Sequence, residues 1–219
     1  MIALGLPRQR ARPLRILCLG AHADDIEIGC GGTLLNLAAQ ADDLVVHWVV
    51  FSGDGLRAEE ARRSAAALLG NRGEHLVDVF DFQDGIFPHE MPRIKAVFET
   101  IKTMASPDLI LTHSVGDAHQ DHAVIAALSH NTFRDHFVLG YEIPKYDGDL
   151  GRTNAYVHLT EDVAQRKAEA IYAAFPSQRH RPWFSPQTFL SLARIRGIEC
   201  NAPEGFAEAF NAPKMVLGL

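Results

Sequence analysis

"LRILCLG" (Leu14–Gly20), followed without a break by "AHADDIEIGCGGTL" (Ala21–Leu34), is the stretch that decides how the rest of the chain reads. A run that is apolar but for one arginine and closes on a glycine predicts a short buried strand. Directly behind it stand a histidine, two adjacent carboxylates and a glycine cluster. Polar groups gathered just past a buried strand mark chemistry, so the question is whether other strands end the same way.

Outward from this stretch, strand-like runs alternate with helical ones. The strands are "LVVHWVVFS" (Leu44–Ser52), "LVDVFDF" (Leu76–Phe82), "DLILTHS" (Asp108–Ser114) and "FVLGYEIP" (Phe137–Pro144). Between them lie "GGTLLNLAAQA" from Gly31, "LRAEEARRSAAALLG" from Leu56, "MPRIKAVFETIKTMA" from Met91 and "HQDHAVIAALSHNTF" from His119, with apolar residues at three-to-four spacing. Such alternation predicts a single Rossmann-like α/β domain, a mainly parallel sheet with helices on both faces. Past residue 150 the pattern loosens into "AYVHLT", a helix from Glu161 to Phe175 and the helix-like "PQTFLSLARIRG", read as a tail of the same domain.

Composition narrows the function. The 219 residues are 47% hydrophobic and 22% charged, which suits a globular fold with a sizeable core. A net charge of −6, with no dense Lys/Arg tract beyond the first dozen residues, argues against a nucleic-acid partner held through phosphates. Residues 1–13 read as a basic N-terminal extension and residues 14–219 as one domain. No apolar run approaches the roughly 20 residues that span a bilayer, and no secretory core opens the chain, so a soluble cytoplasmic protein is expected. Cys18, Cys30 and Cys200 are too few and scattered for a disulfide framework or thiolate zinc site, and read as small buried hydrophobes.

In open α/β sheets ligands bind beyond the carboxyl ends of the strands. Two polar segments fall there, the one after Gly20 and "THSVGDAHQDH" (Thr112–His122). His22 and Asp25 stand three apart, as do His119 and His122, so each pair can face one point. Imidazole and carboxylate are ordinary zinc ligands, and a catalytic zinc keeps three protein ligands and an open position. The remaining groups then have work: a carboxylate such as Asp24 can take a proton from water, and a second histidine can hold an oxyanion or donate a proton. Asp121 or Asp117 can fix that histidine's tautomer. Each pair alone is also compatible with ordinary surface or helix-start histidines; their common position behind two strands is what favours a metal. The "GCGGTL" run (Gly29–Leu34) fails the dinucleotide fingerprint because its sixth place is leucine, so its glycines read as architectural.

The two motifs, "AHADDIEIGCGGT" and "DAHQDH", resemble those of the LmbE-like or PIG-L zinc-dependent de-N-acetylases, usually written A-H-P-D-D-E with a glycine cluster and H-P-D-H. "RAEEARRSAAALLG" is similar to that family's R-x-x-E helix and "KAEAIYAAFPSQ" to its late Lys-to-Ser-Gln segment. The resemblance implies that His22, Asp25 and His122 bind Zn2+, with Fe2+ able to occupy the same ligands. It further implies Asp24 as general base, His119 as oxyanion stabiliser or acid, and Asp121 as the residue orienting His119. Ala23 and Gln120 replace the two prolines, and Ile26 stands where glutamate is commonest, with Glu27 next; none is an implied ligand, base or acid.

Arg57, Asp54 and His113 are candidate substrate contacts, although Arg57 and Glu60 also fit a surface pair at i, i+3. The function that follows is hydrolysis of an N-acetyl group from a small amino sugar or its conjugate, the sugar coming from the resemblance alone. A metal-dependent hydrolase of another amide or ester is the alternative, and a metal-containing binding protein without turnover a third. The resemblance also admits a homo-oligomer.

Overall fold

The computed structural model describes residues 12–40, 43–70 and 73–216, together with Ala3 and Gly5. Apart from Ala3, Gly5, Arg12 and Pro13, the basic extension expected over residues 1–13 lies outside the described residues.

The first strand, β1 (Leu14–His22), runs through the opening stretch. Leu14, Ile16 and Cys18 enter one apolar core while Leu17, Leu19 and Ala21 enter another, as the two-residue period of a strand buried on both faces requires. Arg15, its one charged residue, is exposed. The chain continues through α1 (Asp25–Gln40), β2 (Leu44–Ser52), α2 (Gly55–Leu69), β3 (Glu74–Val79), α3 (Phe87–Met104), β4 (Leu109–His113), α4 (Gln120–Thr132) and β5 (Val138–Tyr141). It ends with β6 (Ala155–Leu159), α5 (Glu161–Ala174), α6 (Pro186–Glu199) and β7 (Phe206–Asn211).

One seven-stranded sheet has the order β3-β2-β1-β4-β5-β7-β6. β1 to β5 pair with one another in parallel, and β7 is antiparallel to both β5 and β6. The expected α/β class therefore holds, with one unforeseen strand: "FAEAFN" at β7 inserts between β5 and the edge. One core packs Leu34, Ala61, Ala65, Ile171 and Phe189 from α1, α2, α5 and α6 against one sheet face. The other packs Ile94, Phe98, Val124 and Ile125 from α3 and α4 against the opposite face. α3 begins four residues before the expected Met91, because Pro88 sits in its first turn, where no N–H is needed, and Phe87 anchors the start in the core.

β1 is flanked by β2 on one side and β4 on the other, so the chain leaves it in one direction and later returns in the other. That crevice is the switch point of the sheet, and both polar motifs emerge there. No helix among the described residues is long and apolar enough to cross a membrane. All three cysteines are free and buried.

Candidate metal and active site

His22 ends β1, Asp24 sits in the tight turn behind it, and Asp25 opens α1. The turn is self-braced, because the His22 main-chain N–H donates to Asp25 Oδ2 at 2.6 Å. Beyond β4, His119 caps the amino end of α4 and His122 lies in its first turn. The register of β1 on β4, Ile16 opposite Leu109 through Cys18 opposite Leu111, brings the two segments face to face.

Three of the expected residues converge closely. His22 Nδ1 is 3.2 Å from His122 Nε2 and 3.3 Å from Asp25 Oδ2, and His122 Nε2 is 3.5 Å from Asp25 Oδ1. A tetrahedral zinc with bonds of about 2.0–2.2 Å has ligand-to-ligand edges of about 3.3–3.6 Å; the donor set has zinc's chemistry and spacings near that range, with Asp25 facing the two imidazoles through different oxygens. His119 is near enough to form a second convergent trio with His22 and His122.

The far nitrogen of each ligand-type imidazole meets a carboxylate. His122 Nδ1 lies 2.9 Å from Asp117 Oδ2, and His22 Nε2 lies 3.2 Å from Asp121 Oδ2 and 3.0 Å from Asp84 Oδ1. Such contacts fix the tautomer that leaves the other nitrogen's lone pair aimed inward. This corrects one expectation: the Asp121 carboxylate does not orient His119. It accepts the main-chain N–H groups of Gly85 at 2.6 Å and Phe87 at 3.0 Å, which aims it at His22. The His119 ring instead accepts the main-chain N–H of Asp121 at Nδ1, 3.3 Å away.

His113 departs from expectation too. Rather than lining a substrate surface it is fully buried, stacked on His122 with ring centroids 3.9 Å apart, its Nε2 accepting the Ala21 N–H at 3.0 Å and lying 3.2 Å from Asp25. Tyr141 backs it, donating its hydroxyl to Leu19 O.

Asp24 is buried and receives Arg57 Nη2 at 2.9 Å. Arg57 is no surface pair: its guanidinium lies 5.3 Å from the Phe175 ring centroid and donates to Glu60, which is fully buried and accepts both the N–H and the hydroxyl of Ser177. The helix and late segment singled out in the sequence thus meet through Arg57, Glu60 and Ser177. Asp54 is exposed at the start of α2 and its side chain caps nothing.

Sequence reasoning missed Asp84. Its side chain is 69% exposed beside His22, on the turn between β3 and α3. The Asp84-Gly85 pair behind a predicted strand was the available signal. Gln120, in place of the family proline, hydrogen-bonds Gly85 O and ties that turn to the second motif.

Electrostatics divide the groups. Burial opposes a charged His22, but Asp25, Asp121 and Asp84 outweigh it and hold its pKa well above the usual value. Burial likewise opposes a charged Asp25, yet the surrounding His122, His113 and His22 hold it well below the carboxylate range. Burial raises Asp24 despite Arg57. His119 is pushed down by burial and by its two imidazole neighbours, and His122 by burial and His113.

Comparison with known proteins follows the same lines. Residues 17–133, which contain both motifs, match the family described as PIG-L, GlcNAc-PI de-N-acetylase. A protein of Escherichia coli (strain K12) called uncharacterized deacetylase YaiS is 34% identical over 140 residues, covering 59% of this chain and 74% of that one. Among solved structures, the N,N'-diacetylchitobiose deacetylase of Pyrococcus horikoshii superposes with a TM-score of 0.67 at 19% identity, over 90% of this chain and 82% of that one. GalB of Pseudomonas putida KT2440, a 4-carboxy-2-hydroxymuconate hydratase, does so at 0.70 and 19% identity, over 94% and 99%. At those identities the structural likenesses establish the fold, and a hydratase among them shows that the fold alone does not choose the reaction. The match over both motifs does more: the chain belongs to the PIG-L family of GlcNAc-PI de-N-acetylases, and with it to the hydrolytic N-deacetylases.

Proposed function

We propose that this protein removes the acetyl group from the nitrogen of an amino sugar or amino-sugar conjugate, using a divalent cation, zinc in the first instance, held by His22, Asp25 and His122. The observation that carries the reading is the convergence of those three groups at 3.2 to 3.5 Å, each imidazole backed by a carboxylate, with the Asp24 carboxylate beside them. The chemistry a divalent cation supplies there is Lewis acidity, polarising the amide carbonyl and lowering the pKa of water.

Asp24 is the base. Arg57 fixes its carboxylate, and burial raises its affinity for the proton it takes from the attacking water. His119 Nδ1 accepts a main-chain N–H, so in the neutral ring that its lowered pKa favours, the proton sits on Nε2. That N–H is a donor for the oxyanion that forms when water adds to the amide carbon. As the C–N bond breaks, the proton held by Asp24 passes to the amine, leaving acetate and the free amino sugar. Asp84 beside His22 and Arg57 beside Asp24, together with Asp54, read the sugar's hydroxyls; His113 packs beneath Asp25 and stacks on His122.

Acetate release from N-acetylglucosamine and from N,N'-diacetylchitobiose, with bound metal measured in parallel, tests this. The zinc-loaded protein should release acetate, and Asp24→Asn should slow it by about 10²–10⁴-fold while keeping its metal. Bound metal without acetate from any N-acetylated sugar would sink the substrate assignment. Full activity in Asp24→Asn would sink the mechanism.

A further inference from the structure

Helix α1 is broken just behind the ligand-bearing turn. Cys30 has φ −146° and ψ 17°, so Asp25–Gly29 forms a short turn and the helix restarts beyond it. Breaking a helix orphans carbonyls before the break and N–H groups after it, and buried orphans are costly. Here one carbonyl before the break and two N–H groups after it are met by one buried ion pair. Lys167, from α5, donates to Ile28 O at 2.7 Å and to Glu208 Oε1 at 2.6 Å. Glu208, from β7, accepts the N–H of Gly32 and of Thr33 at 2.7 Å each and the Thr33 hydroxyl at 2.6 Å. The path Ile28–Lys167–Glu208–Gly32 therefore spans the break, and both side chains are at most 7% exposed.

A further carbonyl before the break, Ile26 O, is met by the Cys30 thiol at 3.2 Å. A Cβ on Gly29 would lie 2.2 Å from the Tyr141 ring, and one on Gly32 would lie 2.7 Å from Leu159. The glycines thus let β5 and β6 press against the break, while Lys167 answers Ile28 O and Glu208 answers the N–H groups of Gly32 and Thr33.

We infer that Lys167 and Glu208 are positioning residues for the metal centre: by clamping the two sides of the α1 break they set the orientation of the turn that carries Asp25 and Asp24. Neither touches the ligands, and their effect runs through the backbone of Ile28–Thr33. This rests on Asp25 being a metal ligand, as proposed above. Glu208→Gln keeps the shape but offers an amide nitrogen where four donors converge; Lys167→Met keeps the Cγ methylene that lies 3.5 Å from the ideal Cβ position at Gly31 but removes the ammonium.

The test is the zinc dissociation constant of Glu208→Gln and Lys167→Met, by competition with a chelator, beside circular dichroism and the melting temperature of the metal-free forms. Both variants should fold and bind zinc on the order of tenfold more weakly, as loosened supporting contacts do. Gly32 and Thr33 amides should also exchange faster with deuterium. Folded variants that melt earlier yet keep the parental zinc constant would overturn the inference, leaving only a structural staple. If Glu208→Gln fails to fold, Lys167→Met decides alone by the same criterion. Asp25→Asn run alongside separates the two levels: parental zinc affinity in that variant would overturn the ligand assignment itself, whereas its loss with unchanged Glu208→Gln and Lys167→Met would overturn only the positioning.

Discussion

Replacing Asp117 with asparagine should weaken metal binding without unfolding the protein, and the structure sets the size of the effect. Asp117 Oδ2 faces His122 Nδ1 at 2.9 Å, while Oδ1 accepts the His119 N–H at 2.9 Å and lies 3.1 Å from Lys145 Nζ. Three donors surround a carboxylate that is 7% exposed. Asparagine has one acceptor oxygen, so in either orientation its NH2 meets a donor. A buried hydrogen bond to a charged group contributes about 1.5–3 kcal/mol. Loss of a partner that orients a metal-ligating histidine typically weakens the metal 10–100-fold, about 1.4–2.8 kcal/mol at 1.4 per tenfold. The two routes agree. Chelator competition should therefore give a zinc constant about 10–100-fold weaker for Asp117→Asn, and the zinc-induced gain in stability should shrink by about 1.4 kcal/mol per tenfold. Acetate release at saturating zinc should fall less than affinity does. A folded Asp117→Asn with the parental zinc constant would refute the reasoning. The carboxylate itself is robust to acid: burial works against its charge, but the hydrogen bonds from His122 and the His119 main chain hold it down to about 2. Since its pKa is depressed, the stability it contributes is complete above the usual value of about 3.9 and is lost only as pH falls through about 2.

Three further outcomes follow from the same contacts. Because carboxylates hold the metal-free His22 pKa well above its usual value, zinc must displace a proton from that ring; affinity should rise with pH toward that pKa, and binding enthalpies should depend on the buffer's ionisation enthalpy, whereas a buffer-independent enthalpy at neutral pH would contradict it. Arg57→Ala removes the charge that opposes the upward shift of Asp24, so the acidic limb of the kcat/KM profile should move to higher pH; an unmoved limb would disconnect Arg57 from the base. Gly29→Ala drives a methyl into the Tyr141 ring, which its hydroxyl bond to Leu19 O anchors, and overpacking of about 1–3 kcal/mol should lower the melting temperature by about 2–12 °C; an unchanged midpoint would show that the ring yields freely.

What the sequence alone determined is what depends on neighbours along the chain. The period of "LRILCLG" and its successors specifies buried parallel strands, and the position of "AHADD" and "HQDH" directly behind two of them specifies where chemistry collects. The four candidates His22, Asp25, His119 and His122 were legible because each pair lies within a few residues behind a predicted strand; the choice of three ligands among them came from the family resemblance. The tertiary structure decided the rest. Which carboxylate serves which imidazole depends on strand register and loop path: Asp121, 99 residues from His22, reaches it because Gly85 and Phe87 hold it there, although in sequence it stands next to His122 and two places from His119. His113 looked like a pocket residue, yet its side of β4 faces inward beneath Asp25. β7 was invisible because Ala, Glu and Asn are weak strand formers, and it is a strand only because β5 and β6 pair with both of its edges. Glu208 carries no local signal at all, since its donors lie 41 residues away at Lys167 and some 175 residues away at the break in α1. Local pattern and propensity act within a turn or a strand; partners for buried charge are chosen only when the sheet has closed.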